Sequence, residues 1–257
     1  MRGLKISLIT LFAVLLVLPA AALAANFAPG GLDLVVSPPS VKIGATYDGT
    51  TLTVTGKAPA GSDVVVRFVG ARTELHMKEK GRALGLLWMN LASLTIDEVP
   101  SVYLVTASKD LDALGAAAAP YRLEQVSQDI VITPADKDTP VNRLELLKLR
   151  REEGLYREVR GGVTLSPADG ASQEFRAVMP VPSKLLPGEY SVEVLALKDG
   201  KLAASGKTGV PVELVGIPAK LADVAFNHSL VYGILATIVA LLSGLAIGLV
   251  FQSKGAH

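Results

Sequence analysis

The chain has 257 residues, of which 50% are hydrophobic and 19% charged, and its formal net charge at pH 7 is +1. The absence of cysteine excludes disulfide scaffolds, cysteine nucleophiles and cysteine-based zinc sites. The balanced charge argues against general nucleic-acid binding. Mean hydropathy is +0.42, and two apolar segments, 6–18 and 230–251, account for much of it. The rest has a globular composition, so neither a disordered chain nor a polytopic transporter is indicated.

Residues 1–24 have the three parts of a secretory signal peptide. Arg2 and Lys5 supply the positive charge, segment 6–18 is apolar, and Ala24 closes an Ala-x-Ala cleavage motif. The apolar segment is too short to span roughly 30 Å of hydrocarbon as a helix. The sequence therefore predicts a cleaved signal peptide and an exported chain, with an uncleaved anchor as the alternative.

Residues 25–108 have the pattern of a β-sandwich region. Aliphatic residues alternate with threonines over 51–55, which is the period-2 pattern of a half-buried strand. Asp48-Gly49 predicts a hairpin turn between strands at 41–47 and 51–55, because both residues tolerate positive φ. Six or more short strands favour an antiparallel, immunoglobulin-like sandwich. Trp88, the only tryptophan, is interpreted as a core residue.

Residues 109–158 differ in composition and predict a short helical insertion. The alanine-rich stretch 110–119 favours one helix. Thr139-Pro140 favours the start of a second helix, since threonine can cap it and proline suits its first turn. Strand patterns return over a second β region, 159–217, in which Asp199-Gly200 predicts another hairpin. The pattern leaves open whether the two β regions form one sandwich or two.

Segment 230–251 is an uncharged stretch of 22 residues, about 33 Å long as a helix and sufficient to cross a bilayer. A juxtamembrane connector, 218–229, precedes this predicted transmembrane helix, and a cytoplasmic tail, 252–257, follows it. Small residues on one helix face let a second helix approach closely, although glycine and alanine are also simply common in membrane helices. The predicted helix-packing face consists of Gly233, Thr237, Ala240, Gly244 and Gly248.

The sequence carries no catalytic or cofactor motif, so we expect a protein that is not an enzyme and holds no cofactor or metal. The three histidines lack metal-ligand spacing, and P-loop, dinucleotide-binding and nucleophile-elbow patterns are missing. A cluster of cations on neighbouring strands could bind an anion, or it could be a solvated hairpin whose edge charges block aggregation. The candidate anion-binding residues are Arg67, Arg72, Lys78, Lys80 and Arg82.

Short blocks of characteristic sequence are spread over nearly the whole chain after the signal: Pro39–Ile43, Tyr47–Gly49, Gly81 with Trp88–Asn90, Val99–Tyr103, Glu153–Tyr156, Phe175–Ala177, Pro187–Tyr190 and Tyr232-Gly233. These blocks resemble a family of predicted bacterial transmembrane proteins, first noted in alphaproteobacteria. The resemblance implies a periplasmic body with a C-terminal anchor. Members are often encoded near permeases of the sulfite-exporter (TauE/SafE) type, which suggests such a permease as a partner. The family has no established catalytic residues, so none is carried over. The chain departs from it at Leu86 and Leu87, where an aromatic is usual.

Together these observations predict a non-enzymatic accessory protein of the bacterial inner membrane, with one span, a periplasmic mainly-β body and a cytoplasmic C-terminus. It would contact the lipid bilayer through its span. It would bind an integral membrane partner, an anion permease of the sulfite or sulfonate type or a second copy, through the helix-packing face and the exported sandwich. The alternative is a membrane-tethered periplasmic module that binds or senses an anion. No nucleic-acid partner is expected.

Overall fold

The computed structural model describes residues 30–83 and 86–252, which form fourteen strands and four α-helices. The predicted signal peptide, 1–24, and positions 253–257 of the predicted tail lie outside the described residues. Three short 3₁₀ helices lie at Leu111–Leu114, Ala116–Tyr121 and Ala135–Lys137, and the α-helices are α1 (Leu123–Asp129), α2 (Pro140–Glu152), α3 (Ile217–Asn227) and α4 (Ser229–Gln252). The strands are β1 (Gly30–Gly31), β2 (Leu34–Ser37), β3 (Val41–Ile43), β4 (Thr50–Pro59), β5 (Asp63–Gly70), β6 (Arg72–Ala83), β7 (Leu87–Pro100), β8 (Tyr103–Ala107), β9 (Val131–Thr133), β10 (Tyr156–Arg160), β11 (Val163–Leu165), β12 (Ser172–Val181), β13 (Gly188–Lys198) and β14 (Lys201–Leu214).

The strands form three sheets. Sheet A has the order β1-β14-β13-β5-β8-β10, and β3 also pairs with β14. Sheet B has the order β11-β12-β4-β2, and sheet C has the order β6-β7-β9. Most neighbours are antiparallel, whereas β1 and β3 run parallel to β14, and β10 runs parallel to β8. The protein is therefore mainly β, as its sequence predicted.

Strands from the two β regions of the sequence pair with each other. In sheet B, β4 pairs with β12 along the whole length of both strands, from Ser172↔Pro59 to Val181↔Thr50. In sheet A, β5 pairs with β13. One buried cluster contains core residues of both sheets, including Val54 and Phe68. The two β regions therefore form one sandwich.

Sheet A is covered on both faces. In sheet B, by contrast, one face is solvated, so the residues of β12 alternate between buried and exposed. All five residues of β8 are buried, and Val64, Val65 and Val66 of β5 have no exposed surface. Sheet B covers one face of sheet A, and the helical segment between β8 and β10 covers the other, with buried Leu123 and Leu146. The helical insertion thus packs over the outer face of sheet A, and we call it the helical roof of the sandwich.

Two local expectations from the sequence are wrong. The turn at Asp48-Gly49 does not join a hairpin: β3 pairs with β14 in sheet A, whereas β4 lies in sheet B. The stretch 110–119 forms two 3₁₀ turns instead of one α-helix. Gly115 divides them with φ of +80°, and a Cβ there would lie 3.3 Å from the Gly200 Cα. The positive φ explains the break, because a continuous helix cannot include that backbone conformation. Glycine also permits the close approach of this segment to the β13–β14 turn.

Helix α4 confirms that the predicted span is one apolar helix and a candidate membrane anchor. Within the described part of the chain, one helix, Ser229–Phe251, is long enough and apolar enough to cross a membrane. Its mean hydropathy is 2.6, and no part of its apolar window is buried. The connector before it is helical, since α3 fills most of the distance between the end of β14 at Leu214 and the start of α4. The β-sandwich body is therefore tied closely to a candidate membrane anchor.

Candidate functional site

The structure separates the five candidate anion-binding residues. Arg67 lies on β5 in sheet A, while the other four lie on β6 in sheet C. From Arg72 to Arg82, β6 extends over roughly 33 Å at the rise of an extended strand. The five cations therefore do not surround one point. Anion binding stays a prediction, and the residues fall into two groups with different surroundings.

Arg67 belongs to an ion-pair cluster under the helical roof. Its Nε donates to the Glu193 Oε2 at 3.1 Å, and its Nη2 contacts the same oxygen. The Lys207 Nζ lies 2.9 Å from the other carboxylate oxygen, Oε1. The Arg67 guanidinium also stacks on Tyr121, with 4.4 Å from its Cζ to the ring centroid, and donates to the Tyr103 hydroxyl at 3.4 Å. Its charge is thus fully engaged by protein groups.

The pairing register of β5 and β13 explains this cluster. Arg67 and Glu193 are direct cross-strand partners of β5 and β13, and the face they share points toward the insertion that carries Tyr121. Burial raises the pKa of the Glu193 carboxyl, but hydrogen bonds from Arg67 and Lys207 lower the pKa by more than burial raises it. The pKa of Glu193 therefore lies below its ordinary value. Burial raises the pKa of Tyr121 and of Tyr103 above its ordinary value, so both hydroxyls are protonated at neutral pH.

A cavity of about 280 Å³ opens beside this cluster. Its charged lining has three cations and three carboxylates, and each of the three cations is already paired with Glu98 or Glu193. Arg72 lies 3.2 Å from Glu98, as Arg67 and Lys207 lie against Glu193. A free anion would have to displace a carboxylate from its partner, which costs charge-assisted hydrogen bonds. The charged lining residues are Arg67, Arg72, Glu98, Asp129, Glu193 and Lys207.

The second group of cations lies on a long hairpin, β6–β7. Sheet C gains its third strand, β9, only at Thr95–Asp97, near the hairpin base. From Thr95 to its outer end at Leu87, β7 runs on for roughly 26 Å, and no third strand among the described residues pairs with it there. Alternate residues of β6 are exposed, and they include Lys78, Lys80 and Arg82. These three have no carboxylate partner within the described part of the chain, since the neighbouring Glu79 pairs with Lys137 at 2.7 Å.

The outer end of this hairpin is apolar and exposed. We call residues 86–91 the hairpin tip. Leu86 is 85% exposed and Trp88 is 69% exposed, and Leu87, Met89 and Leu91 are also exposed. The prediction that Trp88 lies in the core is therefore wrong. The apolar residues around Trp88 form a projecting surface. Their exposure follows from the length of the hairpin, which the sequence pattern does not indicate. Contiguous apolar surface of this kind marks interaction sites.

Arg82 and Trp88 face the same side of the tip. They are cross-strand partners, and the Arg82 Cζ lies 5.1 Å from the centroid of the Trp88 ring. On the opposite side, Leu91 covers Gly81, where a Cβ would come within 2.3 Å of the Leu91 Cδ1. Among the described residues of the hairpin, an indole and a guanidinium therefore lie side by side.

The predicted helix-packing face of α4 is open. A Cβ at Gly233, Gly244 or Gly248 would meet nothing within 4 Å. The Thr237 hydroxyl donates to the Gly233 carbonyl at 2.8 Å, which satisfies its polar group within the helix. A shallow groove on this face is lined by Ala240, Leu241, Gly244, Leu245, Gly248 and Leu249.

The histidines within the described ranges make only local contacts. His76 lies on β6, with Nε2 3.3 Å from Glu74 and Nδ1 3.3 Å from the Thr95 hydroxyl. His228 lies between α3 and α4. In residues 30–83 and 86–252, no group of three or more histidines and carboxylates could hold a metal ion.

The described residues define a mainly-β sandwich protein with a single candidate membrane-spanning helix. The chain belongs to the family described as "Putative transmembrane protein (Alph_Pro_TM)", whose model matches residues 31–253. This match confirms the resemblance found in the sequence. No curated protein matches the chain. A solved structure of murine CRIg is similar at 10% sequence identity and a TM-score of 0.26, over 73% of this chain and 100% of that one. A score this low carries no argument about fold or function.

Proposed function

We propose that this protein is a non-enzymatic accessory protein of the bacterial inner membrane, with its β-sandwich body in the periplasm and its C-terminus in the cytoplasm. Its role is to bind an integral membrane partner. The partner is a permease of the sulfite-exporter (TauE/SafE) type or a second copy of this chain. The signal-like residues 1–24 and the candidate span after the body support this orientation.

The open face of α4 is the observation that carries the proposal. Gly244 and Gly248 leave room for a second backbone, and neighbouring leucines form the walls of the groove. Because lipid tails are as apolar as leucine, helices in a membrane associate through close packing instead of the hydrophobic effect. A face of small residues permits that approach, and the satisfied hydroxyl of Thr237 adds no unpaired polar group.

The alternative, an anion-binding or sensing module, has less support. Two of its five candidate cations, Arg67 and Arg72, are already paired with Glu193 and Glu98, and the other three lie on a different sheet from Arg67. An anion would gain little from them without breaking both pairs. We therefore propose that the body contributes to recognition of the membrane partner.

A pull-down from native membranes tests the proposed function. We expect a membrane protein, or a second copy, to co-purify with the tagged full chain and to be lost from Gly244→Ile/Gly248→Ile. Ala246→Ile is the matched control, because it enlarges a small residue about 160° around the helix from Gly244. Retention of the partner by the double variant would exclude this face, and recovery of no membrane partner by the parent chain would refute the proposed role.

A further inference from the structure

We propose that the hairpin tip is a second membrane attachment, which dips into a bilayer that contains anionic lipid while α4 crosses it. The apolar tip residues enter the interface, and Lys78, Lys80 and Arg82 contact lipid phosphates. This inference requires only that the chain is anchored in a membrane. It does not depend on the helix-packing face or on the identity of a partner.

The order of residues along the hairpin matches the layers of a bilayer. Leucines, tryptophan and methionine occupy the outer end, 86–91, and the cations begin behind them at Arg82 and continue to Lys78. The distance from Arg82 back to Lys78 is roughly 13 Å along the strand. An apolar end followed by cations places the first in the acyl boundary and the second among the headgroups.

Trp88 and Arg82 have the arrangement of an interfacial anchor. Indole rings favour the headgroup level, because one part of the ring is apolar and its N–H is polar. The Arg82 guanidinium lies over that ring, which occupies its face and leaves its edge donors available to phosphate oxygens. Long cationic side chains reach headgroups in the same way from a buried stem.

The charge of the outer hairpin is complementary to anionic lipid. Lys78, Lys80 and Arg82 lie on one face of β6, and none has a carboxylate partner in the described ranges. The single acid among them, Glu79, points to the other face and is neutralised by Lys137. The outer hairpin therefore presents uncompensated positive charge.

A bilayer lies within reach of the tip. Helix α3 spans about 16 Å between the sandwich and α4, so the body is held near the membrane that α4 crosses. The free part of the hairpin extends roughly 26 Å beyond the third strand of sheet C. In addition, α3 leaves Ile217, Leu221 and Phe226 exposed beside the span, so apolar surface continues next to the anchor.

The chain carries its own probe for the test, because Trp88 is its only tryptophan. The full chain is reconstituted into vesicles of phosphatidylcholine, alone or mixed with phosphatidylglycerol. With phosphatidylglycerol present, we expect a blue-shifted emission, quenching by lipids brominated on their acyl chains, and protection from aqueous acrylamide. Emission that stays open to acrylamide and is not quenched by brominated lipid would overturn the proposal.

Charge variants separate a specific tip from general attraction. Each basic residue near an anionic surface contributes about fivefold, so Lys78→Gln/Lys80→Gln/Arg82→Gln should lower the ratio of inserted to free tip about 100-fold. The matched control neutralises exposed lysines elsewhere on the body that have no ion pair in the described residues, and it should change nothing. An equal loss from both triple variants would overturn the proposal. The control substitutions are Lys42→Gln, Lys148→Gln and Lys201→Gln.

Apolar variants complete the test. Leu86→Asp/Leu87→Asp should return the Trp88 emission to that of an aqueous indole, whereas Leu144→Asp on the exposed side of α2 should not. Gly244→Ile/Gly248→Ile should leave Trp88 inserted, so failure of the α4 proposal is distinguishable from failure of this one. If Trp88 is shielded only when a co-purified protein is present, the tip binds protein and the lipid proposal is wrong.

Discussion

Replacing Arg67 with methionine tests how the sandwich depends on an ion pair under its helical roof. The side chains of Arg67 and Glu193 are only 21% and 18% exposed. Removing one partner of a buried pair costs about 3–5 kcal/mol, because the other charge is left without compensation. Here Lys207 still lies 2.9 Å from the Glu193 Oε1 and neutralises part of it. We therefore expect Arg67→Met to cost about 2 kcal/mol, somewhat less than that range.

Thermal unfolding of the full chain in detergent, followed by circular dichroism of the β signal, measures this cost. For a protein of this size, about 2 kcal/mol corresponds to a fall in Tm of about 4–8 °C. Arg72→Met is the matched control, since Arg72 and Glu98 are 52% and 55% exposed and such pairs contribute about 0–1 kcal/mol. Equal, small losses from both variants would refute the reasoning.

The double variant Arg67→Met/Glu193→Leu isolates the cause. Replacing both partners with apolar groups removes the unpaired carboxylate, and Lys207, which is 66% exposed, remains hydrated. We expect the double variant to regain most of the stability that Arg67→Met loses. If it is less stable than the single variant, packing around Tyr121 rather than charge determines the cost.

The pH dependence of the same measurement has a defined sign. The pKa of Glu193 in the folded protein lies below its ordinary 4.5, because hydrogen bonds from Arg67 and Lys207 outweigh burial. A depressed pKa contributes stability that is complete above the unfolded value and lost as pH falls through the folded value. The difference in Tm between the parent and Arg67→Met should therefore be full near neutrality and shrink below pH 4.5. A constant difference down to strong acid would contradict this account.

Three further predictions concern stability, each measured by unfolding of the full chain in detergent. Thr139→Ala should cost about 1 kcal/mol, because the Thr139 hydroxyl accepts the Asn142 N–H at 3.2 Å and caps α2; Thr139→Ser should not. Gly200→Ala should cost about 1–2 kcal/mol, because its φ is +74°, whereas Gly209→Ala, in extended backbone with open space, should be tolerated. Phe68→Ala should cost about 3–5 kcal/mol, since Phe68 has no exposed surface; a loss below 1 kcal/mol would contradict its place in the core.

Several elements could be predicted because their signals are local. Helix α2 begins at Pro140 with Thr139 as its cap, as the dipeptide indicated. The Asp199-Gly200 turn joins β13 to β14, with φ of +51° and +74°, because these residue types tolerate the left-handed conformation of such a turn. The span α4 follows from twenty or more consecutive uncharged, apolar residues. Each of these depends on neighbours in the chain.

The Asp48-Gly49 prediction failed because the same local signal serves a different purpose. Gly49 has a φ of +92°, but the chain there passes from sheet A to sheet B. A Cβ at Gly49 would come within 2.8 Å of the Val181 carbonyl oxygen at the end of β12. The glycine is needed for a close approach between segments distant in sequence, which no short pattern reports.

The sequence by itself determined the class of this protein, a mainly-β body followed by one apolar helix, because strand alternation and hydropathy are properties of short segments. Only the tertiary structure decided that the two β regions share one sandwich and that Arg67 meets Glu193, since strand pairing joins residues far apart in the chain. It also decided that Trp88 is exposed. An apolar strand has the same sequence pattern whether it is covered or projects into solvent. Among the described residues, β9 pairs only near the base of the β6–β7 hairpin, so the outer part of that hairpin is left without a third strand.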